Sequence, residues 1–143
     1  MKADELRCLV RETYPFPIAL AHKKTLGLLD DNMEKLKNIF ETAEAAVQFL
    51  ALLALAQVRK DLAEGKAPDK DSLRQAIRLN QTSFGTWHRI LTDVMKSYYG
   101  LKSQLIVPEL FDFCFSDNRL SPKPIHNKAL MPIRNLRNDF TED

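Results

Sequence analysis

The stretch Asp31–Glu64, DNMEKLKNIFETAEAAVQFLALLALAQVRKDLAE, decides the fold. Met33, Leu36, Phe40, Ala43, Val47, Leu50 and Ala54 recur at alternating steps of three and four, which stacks them along one helix stripe. Ile39, Ala46 and Leu53 add a second stripe. Beyond Ala43 the apolar character wraps most of the circumference, interrupted by Glu44, Gln48 and Gln57. A helix apolar nearly all round needs cover on several sides. The spacing therefore predicts either the central helix of a bundle or a helix shared with a partner chain.

Working outward, Pro and Gly punctuate further helical segments. A helix is expected over about 4–14, stopped by Pro15-Phe16-Pro17, and a short one from Pro17 to about Leu29. Gly65 is placed to close the long helix, and a short helix follows over about 71–79. Ser83-Phe84-Gly85-Thr86 reads as a turn, with Thr86 or Ser83 available to cap a helix over about 87–98, whose apolar face is Trp87, Ile90, Leu91, Val94, Met95 and Tyr98. Another helix covers Leu110, Phe111, Cys114 and Phe115, and 116–124 reads as loop. The last helix runs from about Asn127, or only from Pro132, to Phe140. With no convincing strand, the expected fold class is all-α: an up-and-down helical bundle with one long central helix, in a single domain.

Composition agrees with a globular domain. The chain has 143 residues, 45% hydrophobic and 28% charged, with 21 Lys+Arg against 19 Asp+Glu. That near balance weakens the case for whole-protein electrostatic steering of nucleic acid, so a basic site would have to be local. Only 4 Gly and 7 Pro leave little for the turns of a sandwich or barrel. Cys8 and Cys114, each beside apolar residues, read as buried thiols in a reducing compartment. The N-terminus lacks the apolar core of a signal peptide, and the longest unbroken apolar run, Phe49 to Ala56, is well short of the ~20 residues that cross a bilayer. A cytoplasmic protein with no membrane partner is expected.

Signals of chemistry are few. His22, His88 and His126 contain no pair at the i, i+4 spacing of a helical metal site, so no metal and no cofactor are expected. No phosphate loop or nucleophile elbow is present. Between Arg119 and Arg137 the chain carries Arg119, Lys123, Lys128, Arg134 and Arg137 and no acid. Arg134-Asn135 and Arg137-Asn138 repeat a dipeptide three residues apart, so on a helix one face carries two guanidiniums and its neighbour two amides. Such a face suits a backbone phosphate beside a base or ribose. The plainer alternative is a solvated surface.

Tyr14-Pro15-Phe16-Pro17-Ile18-Ala19, the long helix from Met33, Ser83-Phe84-Gly85-Thr86-Trp87 and Ile133-Arg134-Asn135-Leu136-Arg137-Asn138 span most of the chain in order. Through them the sequence resembles the HEPN superfamily of small helical bundles. The resemblance is closest to HEPN-like modules near the N-termini of large multidomain bacterial proteins. It implies a bundle that often dimerises, with a polar cleft lined by Arg and, in active members, His. Those members are metal-independent ribonucleases carrying Arg, a polar residue and then His a few positions on. There His acts as general acid or base and Arg stabilises charge on the phosphate.

The chain departs from that pattern where the histidine belongs. Starting from Arg137-Asn138 the position falls on Glu142; starting from Arg134-Asn135 it falls on Asp139. A carboxylate there repels the scissile phosphate. Arg119 and His126 match literally, but Pro122 and Pro124 lie between them, and a proline-rich loop lacks the fixed geometry of a helix. That match reads as coincidence. Because the chain ends soon after the Arg-Asn pair, it also reads as the N-terminal module of a longer protein.

Three functions are therefore expected. The first is a non-catalytic HEPN-like interaction and dimerisation module of a bacterial defence or stress system. It would form a homodimer through Phe49, Leu52 and Leu55 and bind RNA, or another domain of the same protein, through Arg134, Asn135, Arg137, Asn138 and Lys128. The second is a metal-independent ribonuclease using Arg134 or Arg137 with a histidine borrowed from His88 or His126. The third is a purely structural bundle.

Overall fold

A computed structural model describes residue 5 and residues 8–9, 12–26, 32–66, 83–116 and 120–141. Among these residues there are five α-helices: α1 (Phe16–Leu26), α2 (Asn32–Ala63), α3 (Phe84–Ser97), α4 (Glu109–Cys114) and α5 (Met131–Thr141). The expected all-α class with one long helix is what forms. The chain groups into two compact units, Met1–Ala46 and Val47–Asp143.

In the first unit, Glu5, Cys8, Leu9, Glu12 and Thr13 are helical, and the Pro15 carbonyl accepts from the amides of Ile18 and Ala19 to start α1. Pro17 sits in that first turn, where a missing N–H costs nothing. Cys8 is exposed, contrary to the expected buried thiol. On the early turns of α2, Phe40 is buried but Met33 and Ile39 are exposed, among the solvated Glu34, Lys37 and Glu41. The predicted stripe therefore begins at Phe40, not Met33.

In the second unit, Val47, Ala51, Ala54 and Val58 form one fully buried stripe of α2. The helix closes as the sequence predicts. Gly65 takes φ +69°, its amide bonds to the Leu62 carbonyl, and the Lys66 amide bonds to the Asp61 carbonyl, which is a Schellman termination. By length and composition Met33–Ala63 is also apolar enough to cross a bilayer, a test that the core helix of a soluble protein passes equally.

Helix α3 starts three residues earlier than expected. Ser83, one of the two caps the sequence offers, is the N-cap, and its Oγ accepts from the Thr86 amide, so Phe84-Gly85-Thr86 is already helical. Phe84, Trp87, Ile90, Leu91, Val94, Met95 and Tyr98 are buried. Tyr98 donates to Asp61 Oδ2 at 2.6 Å, and Gln57 Nε2 donates to the same oxygen at 2.8 Å. Gln57 Oε1 in turn accepts from the Ile106 amide at 2.7 Å. These buried polar groups tie α2 to α3 and to the connection before α4, and burial with the Asp61 bond pushes the Tyr98 phenol pKa upward.

The expected absence of strand is corrected on a small scale. Phe115–Ser116 pairs antiparallel with Ser121–Pro122, in place of a helix end and a loop. The expected helix over 71–79 and Arg119 lie outside the described residues.

Candidate functional site

The chain is helical again from residue 124, with Pro124 in the first-turn position it favours. The Lys123 amide bonds the Cys114 carbonyl at 3.1 Å, fastening this start to the end of α4. A π-helical turn comes next over His126–Leu130, in which the Met131 amide reaches back to the His126 carbonyl. Its cause is local. Pro132 has no amide to give, and its ring collides with the carbonyl four residues back, so the helix widens just before it. His126 therefore stands on a helical turn, but the stretch before it is not helical: Leu120 lies in a turn with positive φ and Ser121–Pro122 in a strand, so no continuous helix leads from the Arg119 side to His126.

His126 is 2% exposed. Its Nε2 lies 3.0 Å from the Phe113 carbonyl oxygen, and its Nδ1 lies 2.7 Å from Nε2 of His88 on α3. The Phe113 ring meets the imidazole edge-on, with centroids 5.3 Å apart. A carbonyl only accepts, so Nε2 of His126 carries a proton. In the uncharged pair, Nδ1 of His126 is then the acceptor, Nε2 of His88 is the donor, and Nδ1 of His88 keeps its lone pair. That last nitrogen makes no hydrogen bond among the described residues, and the His88 side chain is half-buried.

Arg134, two turns along from His126, passes over the first turn of α3. A Cβ added at Gly85 would lie 3.3 Å from Arg134 Cδ. The guanidinium donates from Nε and Nη2 to Asn135 Oδ1, at 3.3 and 3.0 Å. Its charge reaches His88. Burial, then the neighbouring His126, then Arg134 drive the His88 pKa down to about 4, with Asp93 pulling the other way. At neutral pH the corner presents one guanidinium beside one neutral imidazole acceptor.

Of the residues singled out in the sequence, the structure brings Arg134, Asn135, His88 and His126 together. Lys128 is exposed on the π turn. Arg137, Asn138 and Asp139 lie in α5, with side chains outside the described residues, and Glu142 lies outside the described residues altogether. His22 is on α1, in the other unit. Leu52 is 49% exposed and Phe49 and Leu55 are partly so. Near them a cleft of about 80 Å³ is lined by Leu53, Ala56, Gln57, Leu105, Ile106 and Leu110, with Ile106 itself 63% exposed. Cys114 is buried, and burial pushes its thiol up to about 12, which leaves it inert. Among the described residues no three His, Cys, Asp or Glu converge as metal ligands.

Two members of the site escape sequence reasoning. Gly85 reads from sequence only as a turn residue, although a glycine one step inside a capped helix signals close approach by something else. The Phe113 carbonyl carries no signal in side-chain chemistry at all. No family model, no curated protein and no solved structure matches the chain.

Proposed function

We propose that this chain is a cytoplasmic, non-catalytic HEPN-like module that binds the phosphate backbone of RNA at the Arg134–His88 corner and self-associates through Phe49, Leu52 and Leu55 of α2. The observation that carries the reading is Arg134, whose guanidinium bonds only Asn135 among the described residues and whose charge acts on His88. Arg suits a phosphate because its fork offers parallel donors. The exposed Leu52 and its half-exposed neighbours supply an apolar face for a second copy.

A second reading, the metal-independent ribonuclease, draws support from the same proximity, since His88 could take the proton of a 2′-hydroxyl. Proton accounting favours binding. Cleavage needs a base and an acid, whereas a proton passed from His88 through His126 arrives at the Phe113 carbonyl, which cannot take it up. A conjugate acid with a pKa of about 4 is also a poor match to neutral pH.

The test is fluorescence anisotropy with a labelled oligoribonucleotide over a salt series, alongside incubation of the same RNA with EDTA present. Binding that weakens with salt, drops on Arg134→Ala and leaves the RNA intact is expected. Cleavage that survives EDTA and is lost on His88→Ala establishes the ribonuclease instead, and absence of binding at low salt removes both.

A further inference from the structure

We infer that His88 is a phosphoryl-acceptor site: its Nδ1 takes a phosphoryl group from an acyl phosphate, and His126 is the positioning residue that leaves that nitrogen its lone pair. This modification does not rest on the RNA-binding reading above.

An activated side-chain nucleophile has three parts: the attacking group, a basic partner in hydrogen-bond reach, and a third group that orients the partner. His88, His126 and the Phe113 carbonyl stand in that order. The carbonyl has only lone pairs, so the Nε2 proton of His126, 3.0 Å away, is committed to it. Nδ1 of His126 then accepts, and Nε2 of His88, 2.7 Å from it, supplies the proton. A neutral imidazole has one N–H, so Nδ1 of His88 keeps its lone pair, and it makes no hydrogen bond among the described residues. Only one ring of the pair can react. His126 has both nitrogens engaged and is 2% exposed, whereas the His88 side chain is half-buried. His22 on α1 is half-buried too, but it has no such partner among the described residues, so nothing there fixes its tautomer.

The same setting selects the donor. Burial, then His126, then Arg134 hold the His88 pKa at about 4, with Asp93 opposing, so the nucleophile is uncharged at neutral pH but weakly basic. A weak base displaces only a group that is itself weakly basic. A carboxylate, whose acid has a pKa of about 4, meets that limit, and the alkoxide of a phosphate monoester does not. In the transfer the Nδ1 lone pair forms the N–P bond, the P–O bond to the acyl oxygen breaks, and its electron pair leaves on the carboxylate. Nε2 keeps its proton in the bond to His126. The ring then carries one positive charge, which the attached phosphoryl oxygens offset.

The experiment incubates the full 143-residue chain at neutral pH with acetyl phosphate and, in parallel, with glycerol phosphate. Intact mass follows the transfer, and peptide mapping in alkali, where a phosphoryl–nitrogen bond survives, locates it. One phosphoryl group is expected on His88 from acetyl phosphate and none from glycerol phosphate, with His88 labelled about tenfold or more faster than His22. Phosphorus NMR of the labelled wild type should place the group on Nδ1, a readout that does not depend on any variant folding. His126→Leu should bring His88 down to the rate of His22. His126→Gln, whose amide can accept from His88 and donate to the Phe113 carbonyl, should restore the difference. Labelling on Nε2 of His88, labelling of His22 as fast as His88, or no transfer from acetyl phosphate each overturns the inference.

Discussion

The Nε2 of His88 and the Nδ1 of His126 face each other across 2.7 Å, although 38 residues separate them in the chain. One proton lies between them and a carbonyl closes the far side, so two otherwise ordinary histidines become a fixed donor–acceptor line. That line, with Arg134 above it, governs both what the corner can bind and how the fold responds to acid.

Arg134→Ala should weaken RNA binding several-fold and lower the slope of log affinity against log salt by about 0.7 to 1, since one phosphate contact is lost. Stability should stay within about 0.5 kcal/mol, because among the described residues Arg134 bonds only its exposed neighbour Asn135. A salt titration of wild type and variant checks both the intercept and the slope.

Gly85→Ala separates fold from site. The added methyl favours helix by about 0.5–1 kcal/mol but meets Arg134 Cδ at 3.3 Å, and the flexible arginine has to move aside. Unchanged or raised thermal stability with weaker RNA binding is the expected pair of results. A loss of both would mean that Arg134 cannot yield.

The His88 pKa, driven from 6.5 to about 4 by burial, His126 and Arg134, makes folding sensitive to acid. Above pH 6.5 the ring is neutral in folded and unfolded chains alike, so it contributes no slope. Between 6.5 and 4 the unfolded chain takes up the proton first, and stability falls as pH falls; below 4 both states are protonated and the loss levels off. Half-exposure screens the effect to about 1–2 kcal/mol. Urea unfolding at pH 7 and pH 4.5 should show this loss, and His88→Phe should reduce it.

Asp61→Ala should destabilise the second unit by about 2–4 kcal/mol, because the Tyr98 hydroxyl and the Gln57 amide both lose a buried acceptor. Tyr98→Phe removes one donor and should cost about 1–2 kcal/mol. Denaturant midpoints of the two variants give the comparison.

Leu52→Glu tests self-association without confusing it with unfolding, since Leu52 is 49% exposed. A dimeric wild type and a folded, monomeric variant are expected by sedimentation. A monomeric wild type removes the proposed interface.

Sequence periodicity makes the long helix, its Gly65 stop and the buried face from Trp87 to Tyr98 legible, because those depend on spacing and on local backbone preferences. It misplaces the start of α3, where Ser83 and Thr86 are equally good caps and only the observed bond to the Thr86 amide selects one. It also reads Pro122 and Pro124 as the signature of a loop, when Pro124 begins a helix and Pro132 widens it.

By itself, then, the sequence determined a helical chain with one long apolar rod and a basic stretch near its end, since a repeat of three and four and a run without acids are properties of neighbours along the chain. Only the tertiary structure decided that His88, His126 and Arg134 share a corner and that one imidazole nitrogen makes no hydrogen bond among the described residues. The physical reason is that a hydrogen bond couples groups by distance and direction in space, and the last acceptor in this line is a backbone carbonyl that every residue type possesses.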